Sequence, residues 1–133
     1  MRVMLDTNVL VSLLVFNSPE FEKLLEQACL KHTLVLSSYI IEELYEVIER
    51  KFPGKAPVVD VFLSRIPFEI ERTPEQLPQH NLFKIRDPED EKVLYSAFSA
   101  NVDVFITGDK DFTDIHLKKP KIMTPAQFLQ KYM

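Results

Sequence analysis

The stretch Arg2-Val3-Met4-Leu5-Asp6-Thr7-Asn8-Val9-Leu10 decides how the rest of the chain is read. A short apolar run stops at a carboxylate, and a second apolar run, Val9 to Phe16, begins just beyond it. Arg2–Leu5 reads as a buried strand and Val9–Phe16 as the helix that follows. The alternation then repeats. A helix over Phe21–Leu30 follows a break at Asn17-Ser18-Pro19, and Leu34–Leu36 is a second strand. Ser38 opens a helix reaching about Lys51, which Pro53-Gly54 stops. Val58–Arg65 is a shorter helix, Phe68–Ile70 a third strand, and Thr73–Phe83 a short helix or loop. Asp87-Pro88 supplies an N-cap and an N1 proline, Val104–Thr107 is a fourth strand, Lys121–Met123 a weak fifth, and Thr124-Pro125 starts a last helix. Strands joined by helices, with no hairpin signal, require crossovers and a parallel sheet covered on both faces. The expected fold is a three-layer α/β/α sandwich with a central, mostly parallel sheet of about five strands. One domain over residues 1–133 accommodates it.

In such sheets ligands bind beyond the carboxyl ends of the strands, at a topological switch point. Asp6 and Asp109 follow strands one and four directly and belong at that edge. Helical phase sorts the other acids. With Leu44 as zero, Glu42 lies roughly 160° away, facing water, and Glu43 about 100° away, bordering Ile40 and Val47. Asp90 lies about 40° from Leu94, which defines an apolar face with Ala97 and Phe98, whereas Glu89 and Lys92 point outward. Each acid alone has a plain alternative. Glu43 reads on its own as a solvated rim charge, Asp6 and Asp109 as turn or cap residues, Asp90 as an acid at a helix N-terminus, and Asp111 as a cap or a peripheral ligand. Together the four predict one edge of one sheet. Clustered carboxylates remain ionised only when a cation neutralises them, which points to a hard divalent metal.

Composition narrows the classes further. The chain has 133 residues, 46% hydrophobic, and a net charge of −4, so nucleic-acid binding through bulk positive charge is excluded. From Lys110 onward, five lysines outnumber Asp111 and Asp114, which suggests either a phosphate-facing rim or a solvated face. Gly54 and Gly108 are the only glycines, too few for a P-loop or a dinucleotide fingerprint. Cys29 is the single cysteine, and its helical neighbours make it a small core residue. No intrachain disulfide can form, Val9–Phe16 is too short to span a bilayer, and no signal-peptide pattern precedes it, so a cytoplasmic location is expected. His32, His80 and His116 have no metal-ligand spacing.

Four ordered segments, Leu5-Asp6-Thr7-Asn8-Val9-Leu10, Glu43-Leu44, Arg86-Asp87-Pro88-Glu89-Asp90 and Ile106-Thr107-Gly108-Asp109-Lys110-Asp111-Phe112, resemble the PIN-domain nucleases. The resemblance spans essentially the whole chain and is strongest to the VapC-like toxin components of toxin–antitoxin pairs. It implies ribonuclease activity and a Mg²⁺ or Mn²⁺ site. The acidic positions of the family carry over to Asp6, Glu43, Asp90 and Asp109, with Asp6, Asp90 and Asp109 as metal ligands. Asn8, Thr107 and Asp111 match supporting polar positions beside them. A small antitoxin protein is implied as partner. A homodimer is expected from Tyr39, Tyr45, Phe52 and Phe62, which look like more aromatic surface than one sheet face needs. Lys110, Lys118, Lys119 and Arg86 are candidates to hold flanking phosphates. Two other classes compete: a haloacid-dehalogenase-like phosphatase, which needs an acid where Asn8 stands, and a catalytically inactive PIN-like interaction module.

Overall fold

The computed structural model describes residues 1–16, 18–74, 87–112, 115 and 117–132. Strands β1 (Arg2–Leu5), β2 (Thr33–Ser37), β3 (Glu69–Glu71), β4 (Val104–Ile106) and β5 (Lys121–Met123) form a five-stranded sheet in the order β3-β2-β1-β4-β5. Every pairing is parallel, with Val3 facing Leu34 on one side and Val104 on the other. Between them run α1 (Thr7–Val15), α2 (Pro19–Leu30), α3 (Ser38–Lys51), α4 (Ala56–Arg65), α5 (Pro88–Ser99) and α6 (Pro125–Tyr132). The α/β prediction holds, and so does the parallel sheet. The chain moves outward from β1 to β3, then returns to the far side of β1 for β4 and β5. The switch point therefore lies between β1 and β4, where Leu5 pairs with Ile106 and the Asp6 N–H donates to the Ile106 carbonyl at 2.9 Å.

The central strands are apolar at successive positions because both faces are covered. Val3, Met4, Leu5, Val35, Leu36, Phe105 and Ile106 are fully buried. The edge strand β3 differs, with Glu69 and Ile70 exposed. Arg2 ties it down, reaching Glu69 and Glu71 while also donating to the Ala100 carbonyl.

Several boundaries depart from expectation for local reasons. Helix α1 begins at Thr7 rather than Val9, because Asp6 is its N-cap and two polar residues fill the first turn. Helix α2 starts at Pro19 and α4 at Ala56, each with a proline in the first turn. Ser37, not Ser38, caps α3, its hydroxyl accepting from the Ile40 N–H at 3.2 Å. The Ser38 hydroxyl accepts from the Thr73 N–H instead. Strand β3 is one residue later than Phe68–Ile70. Phe98 is not on the buried face of α5. It is 51% exposed and stacks on Tyr95, while Val93 joins Leu94 and Ala97 inside. The expected element over Thr73–Phe83 lies largely outside the described residues, as do Arg86, His80, Asp114 and His116.

Candidate metal centre

Asp6 is the first residue beyond β1, and both its oxygens are engaged. One accepts the Thr7 N–H at 2.8 Å and the other the Thr107 hydroxyl at 2.7 Å. Thr107, directly after β4, in turn accepts the Asp109 N–H at 3.0 Å, and Asp109 accepts the Asp111 N–H at 2.9 Å. A chain of hydrogen bonds thus locks the end of β1 to the loop after β4. Phe112 holds that loop down from beneath. It is 1% exposed and packs edge-on against Phe105, with ring centroids 5.5 Å apart.

Two helices bring the remaining acids. Ser37 starts α3 so that Glu43 falls in its second turn, where the Thr7 hydroxyl donates to one carboxylate oxygen. Asp87 caps α5 by accepting the Glu89 N–H at 2.9 Å, which leaves Asp90 in the first turn. Asp6, Glu43, Asp90 and Asp109 all line one open groove of about 360 Å³, and Asn8 lines it as well. Glu42 faces solvent. Oxygens of Asp90, Asp109 and Asp111 lie within 4.8 Å of one another. Asp6 and Glu43 share the groove but lie outside that triplet.

The electrostatics show excess negative charge. Burial pushes Asp6 up to about 6, against the hydrogen bonds from Thr107 and Thr7 and with help from Glu43 and Asp109. Burial also lifts Asp90 to about 7, reinforced by Asp87, Asp109, Asp6 and Asp111. These donors are all hard oxygens, and their ionised forms resist one another. The crowding suits a bound cation, and the all-oxygen donor set suits a hard divalent one rather than a soft metal. A more enclosed cavity of about 120 Å³ between Leu14, Ile48, Phe52 and Val59 is mostly apolar and offers no convergent polar groups.

Some residues at or near the site escaped the sequence reading. The Thr7 hydroxyl holds Glu43 by donating to its carboxylate. Lys51 lines the groove, eight residues beyond Glu43 on the same helix. Glu91 is 4% exposed, more buried than Asp90. Its phase, about 60° from Leu94, already marked it as inward. Among the proposed phosphate contacts, Lys119 is a correction. Its ammonium pairs with Asp103 at 3.4 Å, and Asp103 precedes β4, at the amino edge of the sheet.

A parallel sheet with its switch point beside an acidic groove defines a class of fold. The sequence matches the PIN domain family over residues 2–111, and the chain belongs to that family. Among solved structures it is similar to VapBC2 from Rickettsia felis bound to a DNA fragment from its promoter. That match has 24% identity and a TM-score of 0.71, covering 92% of this chain and 97% of the other. DNA-bound VapBC from Salmonella typhimurium is similar at 20% identity and a TM-score of 0.66, covering 92% and 96%. Mycobacterium tuberculosis VapC20, a toxin that cleaves the sarcin–ricin loop, matches at 11% identity and a TM-score of 0.58, covering 84% and 93%. No curated protein sequence matches the chain. The fold is VapC-like.

Proposed function

We propose that the chain is a Mg²⁺- or Mn²⁺-dependent endoribonuclease and the toxin subunit of a toxin–antitoxin pair. The observation that carries this reading is the groove. Four carboxylates from four separate segments face one open space at the switch point, two of them well above the ordinary carboxylate range. Such crowding is costly unless a cation resides there. Asp6, Asp90 and Asp109 would hold the ion, with Asp111 close enough to join them. When bound, the ion lowers the pKa of a water and offsets charge growing on the phosphate.

The chain's own groups do the rest. Thr107 and the Thr7 N–H fix the Asp6 carboxylate in one orientation. The Thr7 hydroxyl fixes one Glu43 oxygen, leaving the other to take the proton of the attacking water. Attack on phosphorus breaks its bond to O3′, which leaves a 5′-phosphate and a 3′-hydroxyl. Asn8, exposed at the rim, offers a carboxamide donor to a phosphate oxygen. The phosphatase reading is disfavoured because it needs an acid at that position.

The VapBC assemblies and the loop-cleaving toxin share the fold, and they support extending the antitoxin partner and an RNA substrate to this chain. Among the described residues, no helix is long and apolar enough to cross a membrane. The test is cleavage of total RNA by purified protein with Mn²⁺, with EDTA, and with Asp6→Asn. Cleavage should need the metal and vanish in the variant. Metal-independent cleavage that persists in Asp6→Asn would place the activity elsewhere. For the partner, expression alone should arrest growth, and co-expression with a small neighbouring gene product should restore it.

A further inference from the structure

The acidic groove continues past its carboxylates. Its walls run on through Val11 and Ser12 of α1 and Val47 of α3 to Lys51. Glu43, Val47 and Lys51 are spaced four residues apart, so they follow neighbouring positions on one side of α3 and span about 12 Å of its axis. One end of the groove is anionic, its middle is apolar, and its far end carries an ammonium. Lys51 is exposed and enters no ion pair among the described residues. Position alone has a simple explanation, since a cation in the last turn complements the helix dipole. That explanation covers Arg50 equally, yet Arg50 does not line the groove.

We propose that Lys51 binds a backbone phosphate of a single-stranded RNA substrate, at a linkage removed from the scissile one. The strand then lies along α1 and α3, with a base over Val11 and Val47. Single strands are held in this manner, by a cation on the backbone and an apolar shelf under the bases. The lysine-rich segment beyond Lys110 is a weaker choice, because Lys118, Lys119 and Lys121 do not line the groove. The proposal rests on the nuclease reading above and adds the direction in which the substrate runs.

The experiment follows binding of a short fluorescein-labelled single-stranded RNA in Ca²⁺ by anisotropy, alongside steady-state cleavage in Mg²⁺. Lys51→Gln should weaken binding about tenfold. The slope of log affinity against log salt should become shallower by about 0.7, the loss of one single-strand phosphate contact. KM should rise while kcat holds, and Lys51→Arg should restore affinity and KM. A neutral methylphosphonate, moved linkage by linkage, should weaken wild-type binding at one position and leave Lys51→Gln unaffected there. If wild-type protein cleaves RNA and Lys51→Gln matches it in affinity, slope and KM, the Lys51 site is wrong and the nuclease reading stands. An equal loss in Arg50→Gln would reduce the effect to bulk charge and also overturn the site. If wild-type protein neither binds nor cleaves RNA, both fall together.

Discussion

Asp6 illustrates how one side chain couples fold to chemistry. It caps a helix, and its burial, reinforced by the acids around it, makes the folded protein favour its protonated form despite the hydrogen bonds it accepts. Its value of about 6 lies above the ordinary 3.8, and Asp90 is raised from the same 3.8 to about 7. A raised carboxylate stabilises the fold fully below its unfolded value, and that contribution is lost as pH rises through the folded one. Without metal, the thermal midpoint should therefore fall as pH rises from roughly 4 to roughly 8. Asp6 accounts for about 3 kcal/mol of that loss at most. Saturating Mg²⁺ should flatten the curve, because the ion favours the ionised forms. A metal-free midpoint that climbs over the same range would contradict the description of the site. Asp6→Asn removes one charge from the crowd. The variant should be at least as stable as wild type at pH 8 by thermal melting, and inactive toward RNA. The acids themselves were legible in the sequence because strand ends and helical phase report on each separately. Thr7 and Lys51 were not, since their roles depend on α1 and α3 lying side by side, a long-range fact.

The elements are held in place by their ends. Asp87 with Pro88 opens α5 as the sequence suggests, and Thr124 with Gln127 forms a reciprocal cap on α6. The start of α1 was misplaced because Thr7 and Asn8 carry no apolar periodicity, although the cap before them was visible. Phe98 satisfied the helical phase yet stands exposed, because phase gives direction around a helix but not how far the neighbouring layer extends along it. The short helical turn Lys110–Phe112 carries Asp111, and Phe112 is its only buried side chain. Phe112→Ala should cost about 3–5 kcal/mol in denaturant unfolding. It should also weaken Mn²⁺ binding measured by calorimetry, because Asp109 and Asp111 lose their anchor. Unchanged metal affinity in a folded Phe112→Ala protein would mean the loop is positioned by hydrogen bonds alone. Ser37→Ala should cost about 1 kcal/mol through the lost α3 cap.

At the scale of the whole molecule, strand order explains why distant acids meet. Asp6 and Asp109 sit at the ends of neighbouring strands only because the chain reverses direction across the sheet at β1. Strand–helix alternation made the parallel sheet readable, whereas the order β3-β2-β1-β4-β5 is a property of packing that no local pattern states. The aromatic motive for a homodimer is weaker in the structure. The Tyr39 hydroxyl donates to Glu89 and the Tyr45 hydroxyl to Asp60, so two of the four aromatics tie helices within the chain. A dimer remains the expectation, and sedimentation at tens of micromolar checks it against a strictly monomeric mass. The groove between β1, α3, α5 and the loop after β4 is proposed to hold a catalytic divalent ion. A crystal soaked in Mn²⁺ tests it most directly through anomalous scattering. A peak is expected within coordination distance of Asp6, Asp90 and Asp109. A peak bound elsewhere, or a groove without one under saturating Mn²⁺, would contradict it.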